Sequence, residues 1–117
     1  MKKISSAETL GGTAGGAVVP GRLEGRVALV TGAAGNLGGA LVRRFLREGA
    51  TVVFSGRTEA KLVAARDAAL AETGAAASRT DVVVMDAGEA DQVRHGIDVI
   101  YGRHDRLDVI VNNAGTT

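Results

Sequence analysis

Apolar positions along the chain fall into short blocks whose period changes in a regular way. Four blocks are brief and unbroken: VALVT at 27–31, TVVFS at 51–55, DVVVM at 81–85 and LDVIVN at 107–112. Such valine-rich runs without alternation suit strands covered on both faces of a parallel sheet. Between them the period lengthens. Leu37, Leu41 and Phe45 recur every fourth residue and predict a helix over Leu37–Glu48, with Arg43, Arg44 and Arg47 toward water and Gly49 as its stop. Leu62, Ala65 and Ala69 mark the buried side of a second helix that starts after Arg57, with Thr58 as its cap and Arg66 and Asp67 outward. Val93, Ile97, Ile100 and Tyr101 form the stripe of a third. Its opening, Asp86-Ala87-Gly88-Glu89, has the D-x-x-E spacing of a capping pair. Gly74–Thr80 and Gly102–Arg106 read as loops. The order β-α-β-α-β-α-β with right-handed crossovers predicts an α/β fold, a doubly wound parallel sheet truncated after its fourth strand.

The first strand runs directly into glycines at 32, 35, 38 and 39, and a helical pattern follows at once. Strand, glycine turn and helix in that order make the dinucleotide-binding turn of a Rossmann-like sheet. Gly32 lets the chain leave the strand tightly. Gly35 lacks a Cβ, so a pyrophosphate can reach the backbone there. Gly38 and Gly39 let the helix lie close to the strand. The start of that helix, at Asn36 and Leu37, offers free N–H groups and a positive dipole end to phosphates.

Composition narrows the setting. The 117 residues are 45% hydrophobic, enough for one modest core. A net charge of +1 gives no basis for a nucleic-acid or membrane-surface partner. With no cysteine there is neither a disulfide nor a thiolate metal site. No apolar run approaches the roughly 20 residues of a membrane span. Lys2 and Lys3 are followed by no apolar signal core, so a cytoplasmic setting is expected. Residues 1–21, rich in Gly, Ala, Ser and Thr, read as a flexible leader, and 22–117 as a partial NAD(P)-binding domain.

Three further positions carry chemistry. The end of the second strand in a mononucleotide-binding unit meets the adenosine ribose, where an acid would bind the 2′-hydroxyl and repel a 2′-phosphate. This chain has Ser55-Gly56-Arg57 there. Arg57 can pair with a phosphate and stack on adenine, and Ser55 can donate to the phosphate, so NADPH is expected over NADH. The plain alternative is a solvated loop arginine. Asp86 after the third strand can accept from the adenine amino group beside the Ala87 backbone, or simply cap a helix. Asn112-Asn113-Ala114-Gly115 ends the fourth strand, which should neighbour the first across the topological switch point. Asn113 can tie strand ends together, and Ala114 and Gly115 let a cofactor pass close to backbone.

Together these residues resemble the short-chain dehydrogenase/reductase family over Arg22–Gly115. Thr31–Gly38 is similar to its cofactor turn and Asn112–Gly115 to its NNAG motif. Asn36 stands where the TGxxxGxG form has its middle glycine, and the spacing also fits the TGxxGxxG of extended members. A narrower resemblance, carried by Gly-Asn-Leu-Gly, the SGR after the second strand and the VMD before the third helix, is to the bifunctional malonyl-CoA reductases. These are tandem reductase units that use NADPH to take malonyl-CoA through malonate semialdehyde to 3-hydroxypropionate. The resemblance implies that this chain is the NADPH-binding part of such a reductase. Its partners would be the cofactor and the rest of a larger chain, with a homo-oligomeric parent. Alternatives are another carbonyl reductase, of 3-oxoacyl or alcohol substrates, or a non-catalytic nucleotide sensor.

The family's acid–base chemistry uses a Ser, a Tyr and a Lys four residues after the Tyr. The only tyrosine here is Tyr101, followed four residues later by Asp105, so it reads as packing. His95 and His104 read as exposed, and Asp108 as structural. No catalytic and no metal-ligating residue is expected in the chain. It would supply cofactor positioning alone, with the fourth strand as an exposed edge that leaves the isolated chain marginally stable or sticky.

Overall fold

The computed structural model describes residues 21–113. The expected leader and the Ala114-Gly115 end of the NNAG stretch lie outside these residues, apart from Gly21. The elements are β1 (Val27–Thr31), α1 (Asn36–Arg47), β2 (Thr51–Gly56), α2 (Glu59–Thr73), β3 (Thr80–Val84), α3 (Ala90–His104) and β4 (Val109–Val111), with one 3₁₀ turn at Ala77–Arg79. The strands form a single parallel sheet in the order β3-β2-β1-β4. The expected α/β topology is therefore observed, and the order reverses between β1 and β4.

Both faces of the sheet are covered, which is why the strand runs lack alternation. Ala28, Val30, Val52 and Phe54 point to one side and pack with Val42, Phe45 and Leu46 of α1 and Leu62 and Ala69 of α2. Leu29, Val53 and Val83 point to the other side, against Ile100 of α3. Tyr101 packs at the margin of this second cluster, as its place on the stripe suggested.

Several local expectations are corrected. The buried side of α1 is Gly38, Val42, Phe45 and Leu46, and Leu37 is 55% exposed. Thr58 precedes α2 without a side-chain capping bond. Asp86 and Glu89 form no reciprocal capping pair: Glu89 is the α3 cap residue and caps with no side-chain bond. Instead Asp86 closes its own turn, with Oδ1 accepting from Gly88 N–H at 2.8 Å and its carbonyl from Glu89 N–H at 3.0 Å. The fourth strand begins at Val109, two residues later than its apolar run. The Asp108 carboxylate takes over the pairing there, accepting from Val27 N–H at 2.8 Å while Arg106 grips both its oxygens at 2.7 and 2.8 Å. The Arg106 hydrogen bonds hold the Asp108 carboxyl below its ordinary pKa despite some burial.

His104 is not a free turn residue. Its Nε2 lies 2.8 Å from Asp81 Oδ2, and Arg103 donates to Asp81 Oδ1 at 2.9 Å, so the end of α3 is clamped to the edge strand β3. Burial alone would raise the Asp81 pKa. The bonds from His104, Arg103 and Val82 N–H outweigh it, and the pKa ends below its ordinary value. A depressed carboxyl contributes stability that is present above its unfolded pKa and is lost as pH falls through the folded one. Urea midpoints measured from pH 7 down to pH 2.5 should therefore fall below about pH 4. Asp81→Asn should cost about 1 kcal/mol at pH 7 and flatten that acid limb. An unchanged limb in the variant would remove the clamp as its source.

Candidate dinucleotide site

The carboxyl ends of the strands open onto a cleft of about 720 Å³. Its position follows from the topology, because the strand order reverses between β1 and β4, with α1 packed on one face of the sheet and α3 on the other. One wall is the turn between β1 and α1. Gly32 takes φ +65° there, and an ideal Cβ on Gly38 would stand 2.1 Å from the Gly32 carbonyl oxygen. Close seating of α1 on the turn thus depends on Gly38, which lies buried beneath the cleft and does not line it. Gly39 carries no such burden, since its Cβ would meet only the end of Arg43 at 3.5 Å. Gly35 is exposed, and a Cβ there would meet only the Gly32 carbonyl oxygen at 3.5 Å. The protein itself leaves that space open toward the cleft.

The helical ladder of α1 starts with Gly39 N–H donating to the Gly35 carbonyl at 2.7 Å. The amides of Asn36, Leu37 and Gly38 precede it. No side chain caps this end and no acid stands in its first turn. Asn36 and Leu37 both line the cleft. An open glycine, a run of leading amides and a positive dipole end form an anion cradle, and a pyrophosphate fits it.

The floor is a knot between the ends of β1 and β4. The buried Thr31 hydroxyl accepts from Asn113 N–H at 2.8 Å. It lies 3.3 Å from both the Val111 carbonyl and Asn112 Oδ1, either of which can take its proton. Asn113 is itself 8% exposed, with Nδ2 3.4 Å from the Gly32 carbonyl oxygen. Its side chain thus ties the two strand ends together, while Asn112 is the exposed member of the pair.

Opposite the glycine turn stand Arg57 and Asp86, with Ala87 beside the latter. Arg57 is exposed and forms no hydrogen bond or ion pair among the described residues. Asp86 keeps Oδ2 clear of its own turn. Ser55 is different: its side chain is fully buried, its Oγ has no partner among the described residues, and it does not line the cleft. The expectation that Ser55 donates to a phosphate is corrected. Strand geometry turns it into the layer shared with Val53, so of Ser55 and Arg57 only Arg57 stands at that rim. Lys61 and Thr58 line the same rim, although the sequence marked Thr58 only as a helix cap and did not mark Lys61. Their spacing from Arg57 was the available signal, since the first turn of a helix carries its side chains back toward the preceding loop.

Among the described residues no group of His, Cys, Asp or Glu could hold a metal ion, and no helix is long and apolar enough to cross a membrane. A parallel doubly wound sheet with an anion cradle at its switch point defines the class of dinucleotide-binding α/β units.

Within that class, the chain belongs to the short chain dehydrogenase family, whose pattern it matches over residues 26–117. It is similar to the N-domain of a bacterial malonyl-CoA reductase solved with NADP, at 52% identity and a TM-score of 0.78, covering 83% of this chain and 18% of that one. It is also similar to the C-domain of bacterial malonyl-CoA reductase with NADP, at 28% identity and a TM-score of 0.73, covering 82% and 16% of the two chains. A 3-oxoacyl-acyl-carrier-protein reductase of Thermotoga maritima is 35% identical over 96 residues, which are 82% of this chain and 37% of the relative. The chain thus spans little more than a third of that curated relative. The malonyl-CoA reductase domains it resembles were solved with a dinucleotide, NADP, and the cleft is the candidate place for such a cofactor in this chain.

Proposed function

We propose that this chain is the NADPH-binding segment of a carbonyl reductase whose substrate is malonyl-CoA or malonate semialdehyde, with 3-hydroxypropionate as the end product. The observation that carries the cofactor reading is Arg57, an unpartnered cation where an NAD-preferring unit has an acid. The 52% identity to the N-domain of malonyl-CoA reductase supports the substrate reading. The 35% identity to a 3-oxoacyl reductase favours a 3-oxoacyl thioester as the second reading.

When bound, the nicotinamide supplies a hydride for a carbonyl carbon. This chain's own residues bind and orient. The amides ahead of Gly39 hold the pyrophosphate, Arg57 holds the 2′-phosphate, and Asp86 Oδ2 accepts from the adenine amino group beside Ala87. Gly32, Gly35 and Gly38 shape the turn, and Asn113 ties the floor beneath it. Acid–base catalysis falls to the rest of a larger, homo-oligomeric reductase in the cytoplasm.

Arg57→Asp tests the cofactor reading. The loss of a charge-assisted phosphate contact and the gain of repulsion should lower the ratio of NADPH to NADH affinity more than tenfold. Fluorescence titration with both cofactors measures it, and an unchanged ratio overturns the assignment. NADPH oxidation by the whole reductase, offered malonyl-CoA, malonate semialdehyde and a 3-oxoacyl thioester in turn, separates the two substrate readings.

A further inference from the structure

We infer that Lys61 is a second cation for the cofactor's 2′-phosphate, so that the preference for NADPH is divided between Arg57 and Lys61. The inference rests on the proposed NADPH reading and extends it to a residue outside the glycine turn and the strand end. Lys61 is exposed in the first turn of α2 and lines the same cleft as Arg57 and Thr58. Helix geometry tilts its side chain back toward the start of α2, over Thr58 and toward Arg57.

The placement is fixed from below. Leu62, next in sequence, is 1% exposed, and its Cδ2 lies 3.2 Å from where a Cβ of Gly56 would stand. The first turn of α2 is therefore pinned against the end of β2, which sets Lys61 in register with the residue that follows the strand. The α2 ladder opens with Leu62 N–H donating to the Thr58 carbonyl at 3.1 Å. The amides of Glu59, Ala60 and Lys61 precede it, and the Thr58 hydroxyl makes no cap.

Arg43, Arg44, Arg66, Arg94, Arg103 and Arg106 each meet a carboxylate. Among the described residues Arg22, Arg26, Arg47, Arg57, Lys61 and Arg79 form no ion pair, and of these only Arg57 and Lys61 line the cleft. They stay unpaired although the exposed Glu59 stands between them in sequence. Two unneutralised cations at one rim of a cleft, beside a helix start, select an anionic group. A 2′-phosphate on the adenosine ribose is the anion that the proposed cofactor brings to this rim.

The test uses the purified protein with NADPH and NADH, and with 2′,5′-ADP and 5′-AMP as probes of the 2′-phosphate alone. Lys61→Ala should weaken NADPH and 2′,5′-ADP about five- to tenfold and leave NADH and 5′-AMP within about twofold. Lys61→Arg should restore the 2′-phosphate preference. The effect should shrink as salt is raised, since the pair is open to solvent. If Lys61→Ala leaves the NADPH to NADH ratio unchanged while Arg57→Ala lowers it, the Lys61 assignment is overturned and the NADPH reading stands. A wild-type protein that binds NADH as tightly as NADPH overturns both. An equal loss for all four ligands also overturns the assignment, because it makes Lys61 a general support of the site.

Discussion

Gly38→Ala should destabilise the fold by about 3 kcal/mol, near the upper end of the usual cost of overpacking. An added Cβ would stand 2.1 Å from the Gly32 carbonyl oxygen and 2.9 Å from Ala33 Cα. Both are backbone atoms of the tight turn, so no side chain can swing aside. Relief requires α1 to lift off β1. That movement would open the cluster in which Val42, Phe45 and Leu46 meet Val30 and Phe54. Alanine's better helix propensity returns about 1 kcal/mol at most. Since a domain of this size is held by roughly 5–15 kcal/mol, the loss is a large fraction of the whole. Urea unfolding followed by circular dichroism measures it. A midpoint equivalent to within about 0.5 kcal/mol of wild type would show that the turn relaxes freely and that the close seat of α1 is not held by Gly38.

Gly38 also shows how far sequence reading reaches. The glycine turn was visible because strand, glycines and helix follow one another within thirteen residues of chain, 27–39. Which glycine serves the protein and which serves the ligand was not visible. Gly38 and Gly39 are adjacent and chemically identical, yet only the Cβ of the first would collide with backbone. The helix stripe was displaced for a related reason. Leu37, Leu41 and Phe45 repeat every four residues, but a helix turns every 3.6, so such a row drifts around the axis. Once Gly38 is pressed to the turn, Val42 and Phe45 fall beneath it and Leu37 swings to the cleft.

The strand runs posed the opposite difficulty. They announced a doubly covered sheet because they do not alternate, and that same feature hides which face each residue takes. Ser55 is where this mattered. Read along the chain it lies beside Gly56-Arg57 at the cofactor rim, yet the pleat carries it inward. Local hydrogen bonding was equally ambiguous at Asp86, where the D-x-x-E spacing suited a capping pair and the chain formed a side-chain turn instead. The clamp of Asp81 by His104 and Arg103 joins residues 22 and 23 positions apart, and no local pattern signals it. The knot at the switch point lay closer to hand, since the expected adjacency of the first and fourth strands already brought Asn113 near Thr31.

Gly35→Val should leave the fold nearly intact and remove dinucleotide binding, the converse of the Gly38 result. Gly35 has φ −83°, which any residue adopts, and its Cβ position meets only ordinary contact at 3.5 Å. The structural cost is the poorer helix cap that valine makes, about 1 kcal/mol. The functional cost is larger, because the space filled by the branched side chain lies in front of the leading amides of α1. A pyrophosphate held off those amides loses both their hydrogen bonds and the dipole end. Affinity should fall at least about a hundredfold, or roughly 2.7 kcal/mol. NADPH and NADH should lose it equally, since the pyrophosphate is common to both. Arg57 and Lys61 variants should instead change the ratio of the two cofactors and leave NADH little affected. Titration of Gly35→Val with both cofactors, beside its urea midpoint, separates these outcomes. Wild-type affinity in a folded Gly35→Val protein would place the pyrophosphate away from the glycine turn. It would also leave Arg57 without the anchored adenosine that its proposed role requires.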